Sequence, residues 1–192
     1  MEQKKRIGKK EQTHNTIMHS AKVLFELHGI HNVTIEQIAE TAGISRSTFF
    51  SHFDSVDSLL SEIADREIDD IFTAVEKNED GLSVSALFRQ LTADTYPYPY
   101  LTAELFMHSL LSDGESSVAK VDHFMREEIE RKGYEKALKH FSSKDISAFI
   151  LGAYFGLIFQ KFMNDEPFED PSETNVKIQK LINFIKNQEE SQ

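Results

Sequence analysis

The sequence predicts an all-α chain, with three short N-terminal helices followed by a larger helical bundle. Three observations predict it. Apolar residues recur at three- and four-residue spacing along most of the chain. No segment shows the two-residue alternation of a half-buried strand, and no Asn-Gly or Asp-Gly pair joins two apolar runs as a hairpin would. The four prolines fall in two places, Pro97/Pro99 and Pro167/Pro171, where they punctuate helices and do not interrupt them.

The elements follow in order. A first helix is expected over residues 13–28, with Ile17, Ala21, Leu24 and Phe25 on one face and Gly29 as its C-terminal cap. Thr34 opens a second helix, and Gln37, three residues on, completes a capping box. Gly43 ends it and Ser45 opens a short third helix, about residues 45–51. Ser55 or Asp54 caps a long fourth helix whose apolar stripe includes Leu59, Leu60, Ile63, Ile71 and Val75. Five more helices are expected, at about 82–95, 99–112, 116–139 with a kink or break at Gly133, 143–164 and 172–188. The division expected from this is a basic flexible arm over 1–12, a DNA-binding part over 13–54 and a helical part over 55–192.

Composition excludes several kinds of chemistry. The 192 residues contain no cysteine, so disulfides, thiolate metal sites and cysteine nucleophiles are absent. There is no HExxH, nucleophile elbow or glycine-rich phosphate loop. No catalytic residue, metal or cofactor is therefore expected. The N-terminus, MEQKKRIGKKEQTHN, has no apolar run behind its charges, as a signal peptide would. The longest uncharged stretch, residues 146–160, is too short and too glycine-broken for a membrane span. A soluble, cytoplasmic protein without a membrane partner is expected.

Net charge is −11, yet it is unevenly spread: residues 1–52 carry +2 and residues 53–192 carry −13. For nucleic-acid binding the distribution matters more than the sum. The acidic C-terminal part reads as a solubilising surface.

The string TIEQIAETAGISRSTFFSHF, residues 34–53, carries the functional signal. Two helices crossing steeply need a small residue where they meet, and Ala39 fits. The turn needs a residue tolerant of positive φ, and Gly43 supplies it. Ile38, Ile44 and Phe49 fill the space beneath. The third helix keeps a polar N-terminal face of Ser45, Arg46, Ser47 and Thr48, the composition a recognition helix needs in the major groove. Arg46 suits guanine; Thr48 suits a thymine methyl or a phosphate. Thr34 and Asp54/Ser55 would bring helix-start amides to the DNA backbone.

On these residues the segment from Ile17 to Leu60, through AKVLFELHG, the string above and DSVDSLL, resembles the DNA-binding domain of the tetracycline-repressor (TetR) family. The resemblance implies an all-α homodimer with a three-helix DNA-binding domain. It also implies a C-terminal helical domain that binds a small effector and carries the dimer interface. The chain departs from the family pattern twice. Phe50 stands where a tyrosine is usual, and Val56 where a lysine is usual, so two phosphate-directed groups are missing. Phe50 keeps its place among the DNA-facing residues, and His52 and Thr34 remain for phosphate. The arm residues Lys4, Lys5, Arg6, Lys9 and Lys10 either compensate along the DNA, in the minor groove, or form a solvated tail.

In the C-terminal part, DISAFILGAYFGLIFQKFM (residues 145–163) is apolar nearly all round, so it is expected to be buried on more than one side. Ala148, Gly152 and Gly156 form a small strip, and Ile178, Leu181, Ile182 and Ile185 a second stripe. Together they read either as a four-helix interface about a two-fold axis or as a core within one chain. Phe88, Tyr96, Phe106, His108, Phe124, Tyr154, Phe155 and Phe159 are candidates to line a pocket for a hydrophobic or aromatic effector, with plain core as the competing reading. His123 and Gln160 are further candidates as polar liners. The expected partners are a near-palindromic operator duplex, a second copy of the chain and an unidentified small effector that releases the repressor from DNA. A different class, an all-α enzyme acting on a diphosphate, would use Asp65, Asp69 and Asp70 to hold magnesium. A solvated helix face explains those carboxylates more simply, and no second acidic cluster accompanies them.

Overall fold

The computed structural model describes residues 2–77, 82–111, 116–134 and 140–187, with side chains from Gly8 onward. Every regular element among them is helical. They are α1 (Glu2–His28), a short 3-10 turn (Ile30–Asn32), α2 (Ile35–Thr41), α3 (Arg46–Phe50), α4 (Val56–Glu76), α5 (Val84–Thr95), α6 (Pro99–Leu111), α7 (Ser117–Lys132), α8 (Ser143–Met163) and α9 (Ser172–Asn187). The expected boundaries hold to within about two residues, except at the start of α1 and at the end of α7, which closes at Lys132 where the expectation ran to residue 139. Helix α1 starts at Glu2, well ahead of residue 13. Its first turns are rich in Glu, Gln, Lys and Arg, straight side chains that lose little freedom in a helix.

Caps account for most of the other boundaries. Thr34 and Gln37 form the reciprocal capping box at the start of α2. The Ser45 hydroxyl accepts from the Thr48 amide at the start of α3. Ser55 and Ser58 bond reciprocally at the start of α4, which singles out Ser55 over Asp54 as the cap. Gly133, at φ +72°, ends α7 in the left-handed region, so it terminates that helix and does not kink it.

The helices form two compact units. One comprises Met1–Arg66 with Tyr100–Ser112, the other Glu67–Pro99 with Asp113–Gln192. Helix α4 contributes to both. Helix α6, which the sequence groups with the C-terminal part, belongs to the first unit.

Within the first unit two carboxylates join α6 to the end of α1. Glu26 on α1 accepts from the Leu101 amide (2.8 Å), while Glu104 on α6 accepts from the Ile30 amide (2.8 Å). Leu101 lies in the first turn of α6, whose amides have no partner inside the helix. Ile17, Ala21, Phe25, Ile38, Phe49, Leu59, Leu60, Ile63 and Leu101 are all buried.

The second unit has its own core. Helix α7 packs along α8, and α9 packs on both α5 and α8. Val84, Leu87, Phe88, Met125, Ile129, Ile146, Ile150, Tyr154, Ile158, Ile178, Ile182 and Ile185 fill it. Its buried hydroxyls are paired: Tyr154 with Thr95 (2.5 Å), and Tyr96 with Thr174 (2.7 Å). Burial holds the Tyr154 phenol protonated by raising its pKa.

Helix α8 has 21 residues and, by length and composition alone, is long and apolar enough to cross a membrane. This exceeds the uncharged stretch of residues 146–160, because Ser142 caps the helix ahead of Ile146 and it runs through Lys161 to Met163. One side of it, through Ile146, Ile150, Tyr154 and Ile158, lies in the core just described. The other side leaves Phe149, Gly152, Gly156 and Met163 exposed.

Candidate nucleic-acid interface

The interface is built on the turn between α2 and α3. Gly43 takes φ +66°, and the turn is pinned by the Gly43 amide to the Glu40 carbonyl (3.0 Å) and the Ile44 amide to the Ala39 carbonyl (2.9 Å). Ala39 is buried at the crossing, as its small size allows. Below α3, Phe49 is fully buried, with the Phe50 and Phe53 rings against it at 5.6 and 5.8 Å. The buried aromatic fixes the rotation of α3 and so decides which side chains face water.

Those facing water are the predicted ones. Ser45, Arg46 and Ser47 are exposed and Thr48 is half-buried. The Ser45 hydroxyl lies 2.9 Å from that of Ser47 and 2.8 Å from that of Thr48, a local hydroxyl cluster at the start of the helix. Arg46 pairs with Glu36 on α2 (3.1 Å) and lies over the Phe50 ring, 5.4 Å from its centre. Phe50 itself is exposed on this surface. Thr34 is exposed too, its hydroxyl engaged by the capping box.

His52 follows α3 and is half-buried. Its Nδ1 lies 3.3 Å from Nδ1 of His14 on α1. The His14 ring stacks on Phe53 (4.4 Å between centres), and its Nε2 lies 2.6 Å from a Glu62 carboxylate oxygen on α4. Arg66 holds the same carboxylate (2.9 Å) and donates to Asn15 (2.6 Å). Burial first, then the neighbouring His14 and Lys10, lower the His52 pKa below the ordinary imidazole value.

Sequence reasoning found His52 and missed the three residues behind it. The Glu62–Arg66 pair was legible as an i,i+4 ion pair. His14 is separated from both of its partners by some 40 residues, and no local pattern marks it. Glu36, which engages Arg46, was missed as well.

Lys9 and Lys10 are exposed on α1. The side chains of Lys4, Lys5 and Arg6 lie outside the described residues. The backbone carrying all five is helical, where a flexible arm was expected.

The residues considered for an effector do not assemble as one group. Phe106 and His108 lie in the first unit, where His108 borders a groove of about 510 Å³ with Ile30, Glu104 and Met107. The other six lie in the second unit. There Phe88 and Tyr154 are fully buried against each other, Phe155 meets Tyr154 and Phe159, and Phe124 meets Phe72. Tyr96 is buried with its hydroxyl on Thr174. His123 is exposed and pairs with Glu127, and Gln160 is exposed.

Of the stripe on α9, Ile178, Ile182 and Ile185 are buried in the chain's own core. They sit at i, i+4 and i+7 on the inward face. Leu181 is half-buried, and the exposed apolar residues of α9 are Val176 and Phe184. On α8, Ala148, Gly152 and Gly156 are exposed, and a Cβ on either glycine would meet nothing within 4 Å.

Asp69 pairs with Lys120 at 3.5 Å. Among the described residues, no three histidine or acidic side chains stand together as a metal site would require.

Residues 17–63 match the family model described as bacterial regulatory proteins, tetR family. The chain is 34% identical over 77 residues to the HTH-type transcriptional repressor KstR2 of Rhodococcus jostii strain RHA1, a match spanning 40% of this chain and 38% of that protein. Its fold resembles that of a transcriptional regulator from Aquifex aeolicus VF5, with TM-score 0.64 and 20% identity over 90% of this chain and 99% of the other. It also resembles Thermus thermophilus FadR, a TetR-family transcriptional repressor solved in complex with lauroyl-CoA. That likeness has TM-score 0.58 and 18% identity over 90% of this chain and 92% of the other.

Proposed function

From the match of residues 17–63 to the tetR family of bacterial regulatory proteins we infer that the whole protein belongs to that family and is a cytoplasmic, sequence-specific DNA-binding repressor released by a small apolar effector. The observation that carries this reading is the presentation of α3. A fully buried Phe49 anchors the helix, and Ser45, Arg46 and Ser47 stand in water at its N-terminal end. In a helix-turn-helix these are the positions that meet base edges in the major groove. Arg46 reads a base, Ser47 and Thr48 add bonds to bases or phosphates, and Thr34, Phe50, His52, Lys9 and Lys10 face the backbone.

A homodimer supplies the second recognition helix. The exposed apolar side of α8, with Phe149, Gly152, Gly156 and Met163, and Val176 and Phe184 on α9, supports a second copy as its cover. Two glycines on that side would let the partner's backbone approach closely. A lipid-facing role fits α8 less well, since its opposite face is buried in a core that includes the fully enclosed Tyr154.

The effector class is argued from chemistry. The second unit is rich in packed aromatic side chains, and the Thermus FadR repressor carries lauroyl-CoA. An acyl thioester or similarly apolar molecule is the effector we assign. Admitting it among Phe88, Tyr154 and Phe155 requires those rings to separate. Release from DNA then follows as a population shift, because the effector binds the rearranged state better than the DNA-competent one.

Selection from a random duplex library tests the reading. The expected product is a near-palindromic motif whose half-sites lie about 34–36 Å apart, roughly one DNA turn. Recovery of no motif by the folded dimer would overturn it. The diphosphate-enzyme alternative rests on Asp65, Asp69 and Asp70; with Asp69 held by Lys120, magnesium titration by calorimetry is expected to show no tight site.

A further inference from the structure

Behind the DNA-facing surface lies a chain of three titratable groups that DNA binding by itself does not require. It runs from Glu62 on α4 through His14 on α1 to His52 after α3, with separations of 2.6 and 3.3 Å. The hydrogen-bonding capacities of these groups fix where their protons sit.

An ionised carboxylate only accepts, so His14 Nε2 carries a hydrogen toward Glu62. A neutral His14 then presents a bare Nδ1 to His52. Two ring nitrogens 3.3 Å apart bond only when one of them carries the hydrogen, so His52 donates from Nδ1. Neutral His52 is thereby left with a bare Nε2, an acceptor. A phosphate oxygen is also an acceptor, so in this state His52 repels the group it should bind.

One added proton removes the conflict. If it sits on His52, that ring donates from both nitrogens. If it sits on His14, His14 donates to His52 Nδ1 and the hydrogen of His52 moves to Nε2. Either arrangement makes His52 Nε2 a donor and places one positive charge on the pair. Glu62 faces that charge from α4. Arg66 and Lys10 oppose it, Arg66 through Glu62 and Lys10 from α1. Burial, His14 and Lys10 all disfavour the charged form of His52 in the free protein.

We propose that His14, braced by Glu62, is a positioning residue that couples phosphate binding at His52 to the uptake of one proton. DNA binding therefore tightens as pH falls. The phosphate supplies the negative charge that makes the extra proton favourable, and Glu62 holds the other end of the chain. This rests on the DNA-binding reading above and adds to it a proton stoichiometry and two residues that never reach DNA. Ring packing alone would explain the stacking of His14 on Phe53, but it does not require a carboxylate on the far nitrogen.

The test uses the full chain and a short mixed-sequence duplex at low salt, because phosphate binding does not depend on sequence. Anisotropy titrations over about pH 6 to 8 bracket the imidazole range. Wild type is expected to gain up to about tenfold in affinity per unit fall in pH, the slope of one linked proton. His14→Phe keeps the stack on Phe53 but removes the relay. His52 is then free to carry its single hydrogen on Nε2, so the slope should fall toward that of His52→Gln. Calorimetry of the wild type in two buffers of different ionisation enthalpy reads the same proton directly and needs no variant. Equal slopes in wild type and His14→Phe, or binding with no proton uptake, would overturn the relay and leave DNA binding intact. No binding by the folded wild type at low salt would overturn both.

Discussion

Arg46 is not idle in the free protein. It is held by Glu36 at 3.1 Å and lies over Phe50, so DNA must take it from an existing partner. Both members of the pair are well exposed, and such pairs contribute little, about 0.2–1 kcal/mol. Glu36→Gln should therefore tighten DNA binding only a few-fold, an effect that anisotropy can resolve. Arg46→Ala should cost about 1–3 kcal/mol against the cognate sequence and much less against a mixed one, since a bidentate bond to a base carries sequence discrimination. Equal losses on both duplexes would assign Arg46 to a phosphate. Phe50→Tyr returns a phenolic hydroxyl to an exposed position on this surface and should raise affinity for both duplexes alike. Glu26 raises a different question. Its carboxyl is pushed above its ordinary pKa, chiefly by burial and further by Glu104, despite the amides of Leu101 and Tyr100. A raised carboxyl pKa means that the folded state binds the proton more tightly than the unfolded state. Glu26 therefore favours folding at low pH, and that contribution declines as pH rises from the ordinary carboxylate pKa through the raised one. Glu26→Gln should flatten this part of the stability–pH curve in denaturant melts, while an unchanged curve would show that Glu26 does not set it.

At the level of elements, the turn between α2 and α3 tests backbone conformation apart from packing. A Cβ on Gly43 would meet nothing within 4 Å, yet its φ is +66°. Gly43→Ala should therefore destabilise the protein by about 1–2 kcal/mol through the left-handed backbone alone. Gly152 and Gly156 present the opposite case. They lie in the middle of α8 with open space beside them, so alanine at each should favour the isolated helix by up to about 1 kcal/mol. If a partner helix closes on that strip, the same double substitution should weaken the dimer. Sedimentation at falling concentration separates the outcomes: a tighter dimer would place the interface elsewhere. The sequence made these elements legible because their signals are local. Thr34 with Gln37, Ala39 with Gly43 and Ser45 with Thr48 each lie within four residues, and each folds as its spacing predicts. What it left hidden depends on distant partners. Ile178, Ile182 and Ile185 form an apolar stripe whichever surface covers them, and only the packing of α9 on α5 and α8 assigns them to the chain's own core. The link between His14 and Glu62 and the bonds from Glu26 to α6 were hidden for the same reason.

For the whole molecule, the charge balance creates a tension. On the proposed DNA-binding reading, a chain of net charge −11 approaches a polyanion, and only its first 52 residues are net positive. Affinity then depends on a few cations near the helix-turn-helix, and each one should count. Lys9→Ala with Lys10→Ala should reduce the slope of log affinity against log salt by about two, one for each phosphate that is no longer neutralised. An unchanged slope would mean that this part of α1 stays in solvent. The grouping of α6 with the first unit, through Glu26 and Glu104, was invisible in the sequence because those bonds bridge some 75 residues. DNA recognition is tested most directly by the affinity of the purified protein for duplexes from the region beside its own gene, measured across a salt series. Tight binding at low salt, a steep decline as salt rises, and preference for one near-palindromic duplex that Arg46→Ala removes are expected. Failure of the folded protein to bind any duplex at low salt would contradict this reading.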